Sequence, residues 1–262
     1  MTSARIRLVV LAMAGAGATS SAAAEIRHRL AGVGLDAPVV FESDLLATYF
    51  SGTFRPDGYA VIAGTGAGAI RVQDGRQAGV ADALGWLLGD EGSGFWIGHR
   101  VVRSALADLD GRGPSTALTP LLLARLGVPA PADDGDREPI MAAVRALYGG
   151  PPVRLADFAR LVFEVDGDAT ADGILDDAAA GLARTLAAVR CPSVSGPVVL
   201  GGGILGRASG LADRLAAASG AKEVHVVADG ALGVCVLALR HAGVTVDAAV
   251  FERVATSLAA VH

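Results

Sequence analysis

Cysteine is scarce in this sequence of 262 residues, which contains only Cys191 and Cys235. The two cysteines lie far apart and form no CxxC pair or other close spacing that binds a metal. The histidines add no such spacing; they are His28, His99, His225, His241 and His262. We therefore expect no metal ligands from the protein, two ordinary buried thiols, and a cytoplasmic protein without structural disulfides.

Charged residues are also few, at 19% of the chain, and the net charge is −5. This composition lacks the basic footprint of a nucleic-acid-binding protein, and no apolar run is long enough to span a membrane. We therefore expect neither a nucleic acid nor a membrane as partner. Apolar residues reach 52%, which excludes a disordered chain or a coiled coil and allows a substantial buried core.

The start of the chain allows two interpretations. A basic beginning, an apolar stretch and three alanines at 22–24 are similar to a secretory signal peptide. Alternatively, residues 7–14 form a strand and residues 19–30 form a helix. The apolar stretch is short and is broken by Gly15 and Gly17, so we favour the strand and the helix.

Strand and helix patterns alternate at both ends of the chain, which predicts an α/β fold. The turn sequence RPDG marks a domain boundary, so residues 1–57 form one unit and residues 58–246 a second. Helical periodicity from about 113 to 190 predicts a helical insertion in the second unit. Residues 247–262 form a terminal helix that packs back on the first unit.

Glycine is abundant, with 35 residues, and three Gly-rich turns follow predicted strands. Residues 59–80 are interpreted as two strands, the first of which contains one of these turns, and Asp74-Gly75 indicates a hairpin. Gly-rich turns let backbone N–H groups approach an anion, and a following helix N-terminus adds to the attraction. Together they indicate a phosphate-bearing ligand, and the turns are Gly15-Ala16-Gly17, Gly64-Thr65-Gly66 and Gly201-Gly202-Gly203.

Two acidic positions are candidates for chemistry. Asp44 follows the predicted strand PVVFES and begins a short helix over 44–51, with Ser43 as its N-cap. A carboxylate at a strand end can take a proton from a hydroxyl group, although a capping role explains Asp44 equally well. Asp90 lies in a Gly-rich loop before a helix predicted from about 93 to 109, where it either contacts a ligand or caps the helix. Trp86 in the same loop offers a flat apolar face to a sugar ring or to core packing.

The order and spacing of three segments resemble the actin-like kinases of the N-acetylglucosamine kinase and BadF/BadG/BcrA/BcrD ATPase family. GDEGSG is the most specific part, and the similarity extends from about residue 7 to the end of the chain. The segments are GTG at 64–66, GWLLGDEGSGFWIG at 85–98 and VVLGGG at 198–203.

This resemblance implies an actin-like (ribonuclease H-like) two-lobe ATPase fold and the transfer of phosphate from ATP, with Mg²⁺, to a sugar hydroxyl. The expected acceptor is N-acetylglucosamine or a related amino sugar, and a homodimer is left open. Asp44 corresponds to the catalytic base. The implied acceptor-binding residues are Gly85, Trp86 and Asp90. The implied ATP-binding residues are Gly64, Thr65, Gly66, Gly201, Gly202 and Gly203.

The sequence departs from the family pattern in two places. Family members begin with a hairpin that carries an Asp-Gly-Gly-Gly-Thr-type first phosphate loop, and this sequence has none. We therefore expect a truncated N-terminal lobe and a longer natural gene product. In addition, Ala67 and Gly68 follow the GTG turn where polar residues are expected, which leaves the identity of the acceptor open.

Three other functions have to be weighed. Residues 9–20 followed by Glu42 at a strand end are similar to a dinucleotide-binding fingerprint and would indicate an NAD-dependent oxidoreductase. An iron–sulfur activator ATPase of the same superfamily would need cysteines at other positions. A chain that lacks the first phosphate loop could also be a non-catalytic nucleotide-binding protein.

Overall fold

A computed structural model describes residues 6–14, 20–35, 37–133, 135–206 and 209–260. The turn predicted at 15–17 lies outside these residues. In chain order the elements are β1 (Val9–Met13), α1 (Ser20–Gly32), β2 (Val39–Ser43), α2 (Asp44–Gly52), β3 (Gly58–Ala63), β4 (Ala67–Gln73), β5 (Arg76–Asp82), α3 (Gly94–Leu109), α4 (Leu118–Leu126), α5 (Glu138–Tyr148), a 3₁₀ helix (Pro152–Phe163), α6 (Ala169–Val189), β6 (Val198–Gly201), α7 (Ser209–Ser219), β7 (Val224–Val226), α8 (Ala231–His241) and α9 (Ala248–Ala259).

The main sheet has its strands in the order β5-β4-β3-β6-β7. β3 pairs antiparallel with β4 and parallel with β6, so hairpin strands lie on one side and crossover strands on the other. β3 and β6 are nearly continuous apolar runs because helices cover both faces of the sheet. Val61 and Ala63 contribute to the core on one face, and Ala60 contributes to the core on the other.

The strand assignment around the GTG turn differs from the prediction. Residues 58–82 form three strands, and Gly64, Thr65 and Gly66 make the turn that joins β3 to antiparallel β4. The Gly64 N–H donates to the Gly66 carbonyl over 2.9 Å, which closes the turn. The prediction of two strands is therefore wrong in number, because the GTG turn divides the first of them into β3 and β4. The hairpin predicted at Asp74-Gly75 is confirmed, since β4 and β5 pair antiparallel on either side of it.

The helix α2 packs on the main sheet beside α8. Tyr49 and Phe50 are fully buried in this contact, and the Ser51 hydroxyl accepts a hydrogen bond from the Gly233 N–H over 2.8 Å. Ser43 occupies the N-cap position of α2, as predicted. Its side chain makes no capping hydrogen bond, however, so the expected capping interaction is wrong. Because α2 precedes residue 57 yet packs on the main sheet, the two-unit division at that residue stays a prediction.

The smaller sheet pairs β1 with β2 in parallel, with Val9 opposite Val39. Its side chains, including Val10, extend the core formed by α2, α8 and one face of the main sheet. The terminal helix α9 begins at a cap where Asp247 accepts from the Val250 N–H, and Phe251 packs near Phe54 with ring centroids 6.0 Å apart. The end of the chain therefore packs against the same core.

The opposite face of the main sheet is covered by α3, α6, α7 and the 3₁₀ helix. The predicted helical insertion, from about 113 to 190, contains α4, α5, the 3₁₀ helix and α6. Gly98 of α3 allows the 3₁₀ helix to approach closely, because a Cβ at this position would lie 1.9 Å from the Leu155 carbonyl oxygen. None of the described helices is both long and apolar enough to cross a membrane.

Candidate functional site

A cleft of about 680 Å³ opens where β2 and β3 end and the two sheets meet. Carboxyl ends of parallel strands are the usual ligand-binding edge of α/β sheets. The cleft gathers most of the predicted acceptor and phosphate residues, although they come from three separate segments. It is lined by Ala14, Phe41, Ser43, Asp44, Leu45, Ile62, Gly64, Thr65, Gly66, Ala67, Gln77, Val80, Ala83, Gly85 and Asp90.

Asp44 is the first residue of α2 and lies directly after β2. One carboxylate oxygen, Oδ1, accepts a hydrogen bond from the Leu45 N–H over 2.9 Å. Within the described residues, the other oxygen has no hydrogen-bond partner. The N-terminus of α2 places a partial positive charge beside this carboxylate. Asp44 is thus a fixed carboxylate with one oxygen available to a ligand in the cleft.

The GTG turn offers backbone donors to an anion. The Gly64 N–H is used inside the turn, whereas no partner for the N–H groups of Thr65 and Gly66 is found among the described residues. The N-terminus of α3 approaches the same turn, and the Gly94 N–H donates to the Gly64 carbonyl over 2.7 Å. Free amides beside a helix N-terminus form a favourable place for a phosphate group.

The GDEGSG loop leads into α3, whose N-cap Ser93 accepts from the Trp96 N–H over 3.1 Å, in agreement with the predicted helix start. Asp90 has a left-handed backbone with φ 59° and is only 6% exposed. Burial raises the pKa of the Asp90 carboxyl above its usual range, and the nearby Asp82 carboxylate adds to this effect.

The Asp90 carboxylate is packed against the GTG turn. A Cβ atom added to Gly66 would lie 2.7 Å from Oδ2 of Asp90, so the turn can approach the carboxylate only because this residue is glycine. The loop and the GTG turn therefore form one continuous wall of the cleft.

Asp82, at the end of β5, is a residue that the motifs did not reveal. Its carboxylate accepts hydrogen bonds from the N–H groups of Asp90 over 2.7 Å and Glu91 over 3.0 Å. The only signal in the sequence is an aspartate shortly before a Gly-rich loop, a residue type that often binds nearby backbone amides. Gln77 on β5 also lines the cleft, and no motif indicates it.

Two groups of predicted residues lie outside the cleft lining. Trp86 is 39% exposed and packs on Phe95 with ring centroids 5.1 Å apart. The Gly201-Gly202-Gly203 turn follows β6 on the other side of the β3 end, where the Ile204 N–H donates to the Ala63 carbonyl over 2.9 Å. A Cβ at Gly202 would lie 2.5 Å from that same carbonyl oxygen, so glycine is required there.

The remaining candidates have structural surroundings. Glu42 does not face the cleft as a free acid; its Oε1 lies 2.6 Å from Nε2 of His241 on α8. Cys191 and Cys235 are free and half-buried, so the expectation of fully buried thiols is wrong. Among the described residues, no group of three or more potential protein ligands could hold a metal ion.

Sequence comparison finds curated sugar kinases. The chain is 36% identical over 85 residues to the N-acetyl-D-glucosamine kinase of Dictyostelium discoideum, which covers 32% of this chain and 27% of that protein. It is 32% identical over 94 residues to the N-acetylmuramic acid/N-acetylglucosamine kinase of Clostridium acetobutylicum, covering 36% and 30% of the two chains. The aligned parts thus span less than a third of each relative's length.

Two solved structures share the fold. Proteins provisionally designated N-acetylglucosamine kinases from Porphyromonas gingivalis and Chromobacterium violaceum superpose with TM-scores of 0.69 and 0.64 at 20% and 22% identity. The first match covers 91% of this chain and 79% of its counterpart, and the second covers 88% and 75%. The predicted actin-like α/β fold is confirmed. Residues 1–238 match the BadF/BadG/BcrA/BcrD ATPase family, and the chain belongs to this family.

Proposed function

We propose that this protein uses ATP to phosphorylate a hydroxyl group of an amino sugar, with N-acetylglucosamine as the first candidate. The observation that carries the proposal is the cleft in which Asp44, the free amides of the GTG turn and the buried Asp90 carboxylate meet. Phosphoryl transfer requires positioning and charge stabilisation more than covalent help from the protein. This cleft brings together a carboxylate that can accept a proton, backbone N–H groups that can bind phosphate, and a second carboxylate that can contact the sugar.

In this proposal Asp44 acts as the general base. The free oxygen of Asp44 takes the proton of the acceptor hydroxyl. The hydroxyl oxygen attacks the γ-phosphorus of ATP, and the bond between that phosphorus and the bridging oxygen of ADP breaks. The bond between Oδ1 and the Leu45 N–H, 2.9 Å long, fixes the direction of the carboxylate. General-base help of this kind typically contributes a factor of about 10²–10⁴ to the rate.

The phosphates of ATP would be held by the N–H groups of Thr65 and Gly66 beside the N-terminus of α3. Gly201, Gly202 and Gly203 would support the adenosine, since their turn lies against the same end of β3. Mg²⁺ fits this site as an ion bound mainly through phosphates and water, because carboxylate and hydroxyl oxygens line the cleft whereas a complete protein ligand set is missing among the described residues.

The acceptor would lie against Asp90 and Gly85. The Asp90 carboxylate can accept hydrogen bonds from sugar hydroxyls, and Phe41 and Val80 supply apolar surface for the ring or for an acyl group. Ala67 presents only a methyl group to the cleft and cannot form a side-chain hydrogen bond with a sugar. Selection among amino sugars must therefore depend on other groups of the cleft. We further propose a cytoplasmic location, where ATP is available, and assign Trp86 to the support of the loop through Phe95.

The test is acceptor-dependent release of ADP by the purified chain with Mg²⁺–ATP. A panel of N-acetylglucosamine, glucosamine, N-acetylmannosamine and glucose would identify the acceptor. We expect release that requires a sugar and is fastest with an N-acetylated amino sugar. Equal release with and without sugars would contradict a kinase. A folded chain that binds ATP without any release would indicate a non-catalytic nucleotide-binding protein instead.

A further inference from the structure

Asp82 connects the end of β5 to the GDEGSG loop of the candidate site. It ends β5, yet its two carboxylate oxygens accept hydrogen bonds from two successive amides of the loop, those of Asp90 over 2.7 Å and Glu91 over 3.0 Å. Hydrogen bonds to an ionised acceptor are stronger than neutral ones. Two of them on adjacent amides fix both the position and the orientation of the peptide group that they bracket.

The surrounding backbone shows that this arrangement is imposed on the chain. Asp82, Ala83 and Asp90 all adopt left-handed conformations, with φ values of 61°, 58° and 59°. Such conformations are unfavourable for residues other than glycine and persist when neighbouring interactions hold them. Gly89 provides the space for the carboxylate, because a Cβ at this position would lie 2.2 Å from Oδ1 of Asp82.

The consequence of this geometry falls on Asp90. Its backbone amide is held by Asp82, while its own carboxylate is buried beside Gly66 of the GTG turn. Without the contact from Asp82, the loop could relax its left-handed residues and withdraw the Asp90 carboxylate from the cleft wall. A displacement of about 1 Å in a binding group is enough to lower activity by about 10².

We propose that Asp82 is a positioning residue, which holds the loop at 85–92 so that the Asp90 carboxylate faces the acceptor beside the GTG turn. The proposal rests on the proposed function for its effect on sugar binding. The restraint that Asp82 places on the loop through its two hydrogen bonds does not depend on any enzymatic activity. Asp82 does not line the cleft and takes no part in bond making.

Two substitutions test the effect of the Asp82 carboxylate without changing the backbone conformation at this position. Asp82→Gly accepts the left-handed backbone without strain but removes both hydrogen-bond acceptors. Asp82→Asn also tolerates this conformation and keeps one acceptor oxygen. Asp74→Gly is the matched control, since Asp74 also has a positive φ of 52°, lies in the turn before β5, and is outside the cleft lining.

The first measurement is amide hydrogen exchange of the peptide that spans residues 84–92. In Asp82→Gly we expect exchange at the amides of Asp90 and Glu91 to become on the order of tenfold faster. The change should be smaller in Asp82→Asn and absent in Asp74→Gly. Unchanged exchange in a folded Asp82→Gly variant would overturn the hold on the loop, whatever the enzyme's activity.

The second measurement separates binding of the two substrates. The KM for the sugar should rise about tenfold or more in Asp82→Gly, with partial recovery in Asp82→Asn, while the KM for ATP stays within about twofold. Faster loop exchange with an unchanged sugar KM would overturn the positioning role. A wild-type chain without sugar-dependent turnover would contradict the proposed function, and calorimetric sugar binding by the same variants would then decide whether Asp82 positions Asp90.

Discussion

At the scale of single residues, the two carboxylates of the cleft lie in different surroundings. Asp44 stands at the N-terminus of α2 with one oxygen available to a ligand in the cleft. Asp90 is buried, and its pKa is raised by that burial. Environments that differ in this way suit chemically identical groups to different tasks, and we propose proton transfer for Asp44 and recognition of hydroxyl groups for Asp90.

The raised pKa of Asp90 predicts an effect on stability. The folded state binds the Asp90 proton more tightly than the unfolded state does, so the ionised carboxylate lowers stability above the folded pKa. This loss disappears as the pH falls through the folded pKa towards the ordinary aspartate range. We therefore expect Asp90→Asn to have a higher Tm than the wild type at pH 8 and to bind the sugar more weakly. The Tm difference should become smaller as the pH approaches the ordinary aspartate pKa of about 3.9.

Thermal unfolding at several pH values, combined with the sugar KM, checks this prediction. Asp213→Asn is a suitable control, because Asp213 is exposed on α7 and has no hydrogen bond or ion pair within the described part of the chain. The control should show no pH-dependent difference. An Asp90→Asn variant that is less stable than the wild type at pH 8 would contradict the assignment of Asp90 as a destabilising buried carboxylate.

Sequence motifs located much of the site at this scale. Asp44, Gly85, Asp90 and the GTG turn come together in one cleft, as the resemblance implies. Asp82 could not be predicted because its partners are backbone amides, which carry no residue-specific signal. Gln77 was missed because β5 gives no indication of which strand face meets the cleft.

At the scale of elements, the contact of α2 with α8 determines where Asp44 lies. A Cβ at Gly233 of α8 would be 1.7 Å from the Ala47 carbonyl oxygen of α2. The Gly233 N–H also donates to the Ser51 hydroxyl. The close approach of the two backbones thus depends on the absence of a side chain at one position, and it fixes α2 under the cleft.

We expect Gly233→Ala to force the helices apart and to lower stability by about 1–3 kcal/mol, as overpacking of a tight contact does. Gly173→Ala is the control, since Gly173 is an exposed position of α6 with open space around it. Removing a helical glycine there should raise stability by about 0.5–1 kcal/mol. Denaturant unfolding measures both. Equal stability of the Gly233→Ala variant and the wild type would show that α2 and α8 can separate without loss.

Helices were easier to predict than strand pairing. The start of α3 follows from Ser93 and the glycines before it, because capping is a local interaction. The β3–β4 hairpin was missed because apolar strand patterns continue on both sides of the GTG turn, so the sequence predicts one strand that contains the turn. The pairing of Ala63 with Ala67, which makes this stretch two strands, becomes evident only in the folded sheet.

At the scale of the whole molecule, the cleft is assembled from separate segments between residues 14 and 90. Asp44 follows β2, the GTG turn joins β3 to β4, and the loop that contains Asp90 lies between β5 and α3. The family match covers residues 1–238, which include all of these segments. The proposed phosphoryl transfer depends most on one step, in which the free oxygen of Asp44 receives the acceptor proton.

The most direct test of this step is formation of sugar phosphate from Mg²⁺–ATP by Asp44→Asn and by the matched variant Asp229→Asn. Asp229 also binds a backbone amide at a helix N-terminus, that of Ala231 at the start of α8, but it does not line the cleft. We expect Asp44→Asn to lose a factor of about 10²–10⁴ in kcat with nucleotide binding retained, and Asp229→Asn to remain active. Sugar phosphate formed at the wild-type rate by Asp44→Asn would contradict the account.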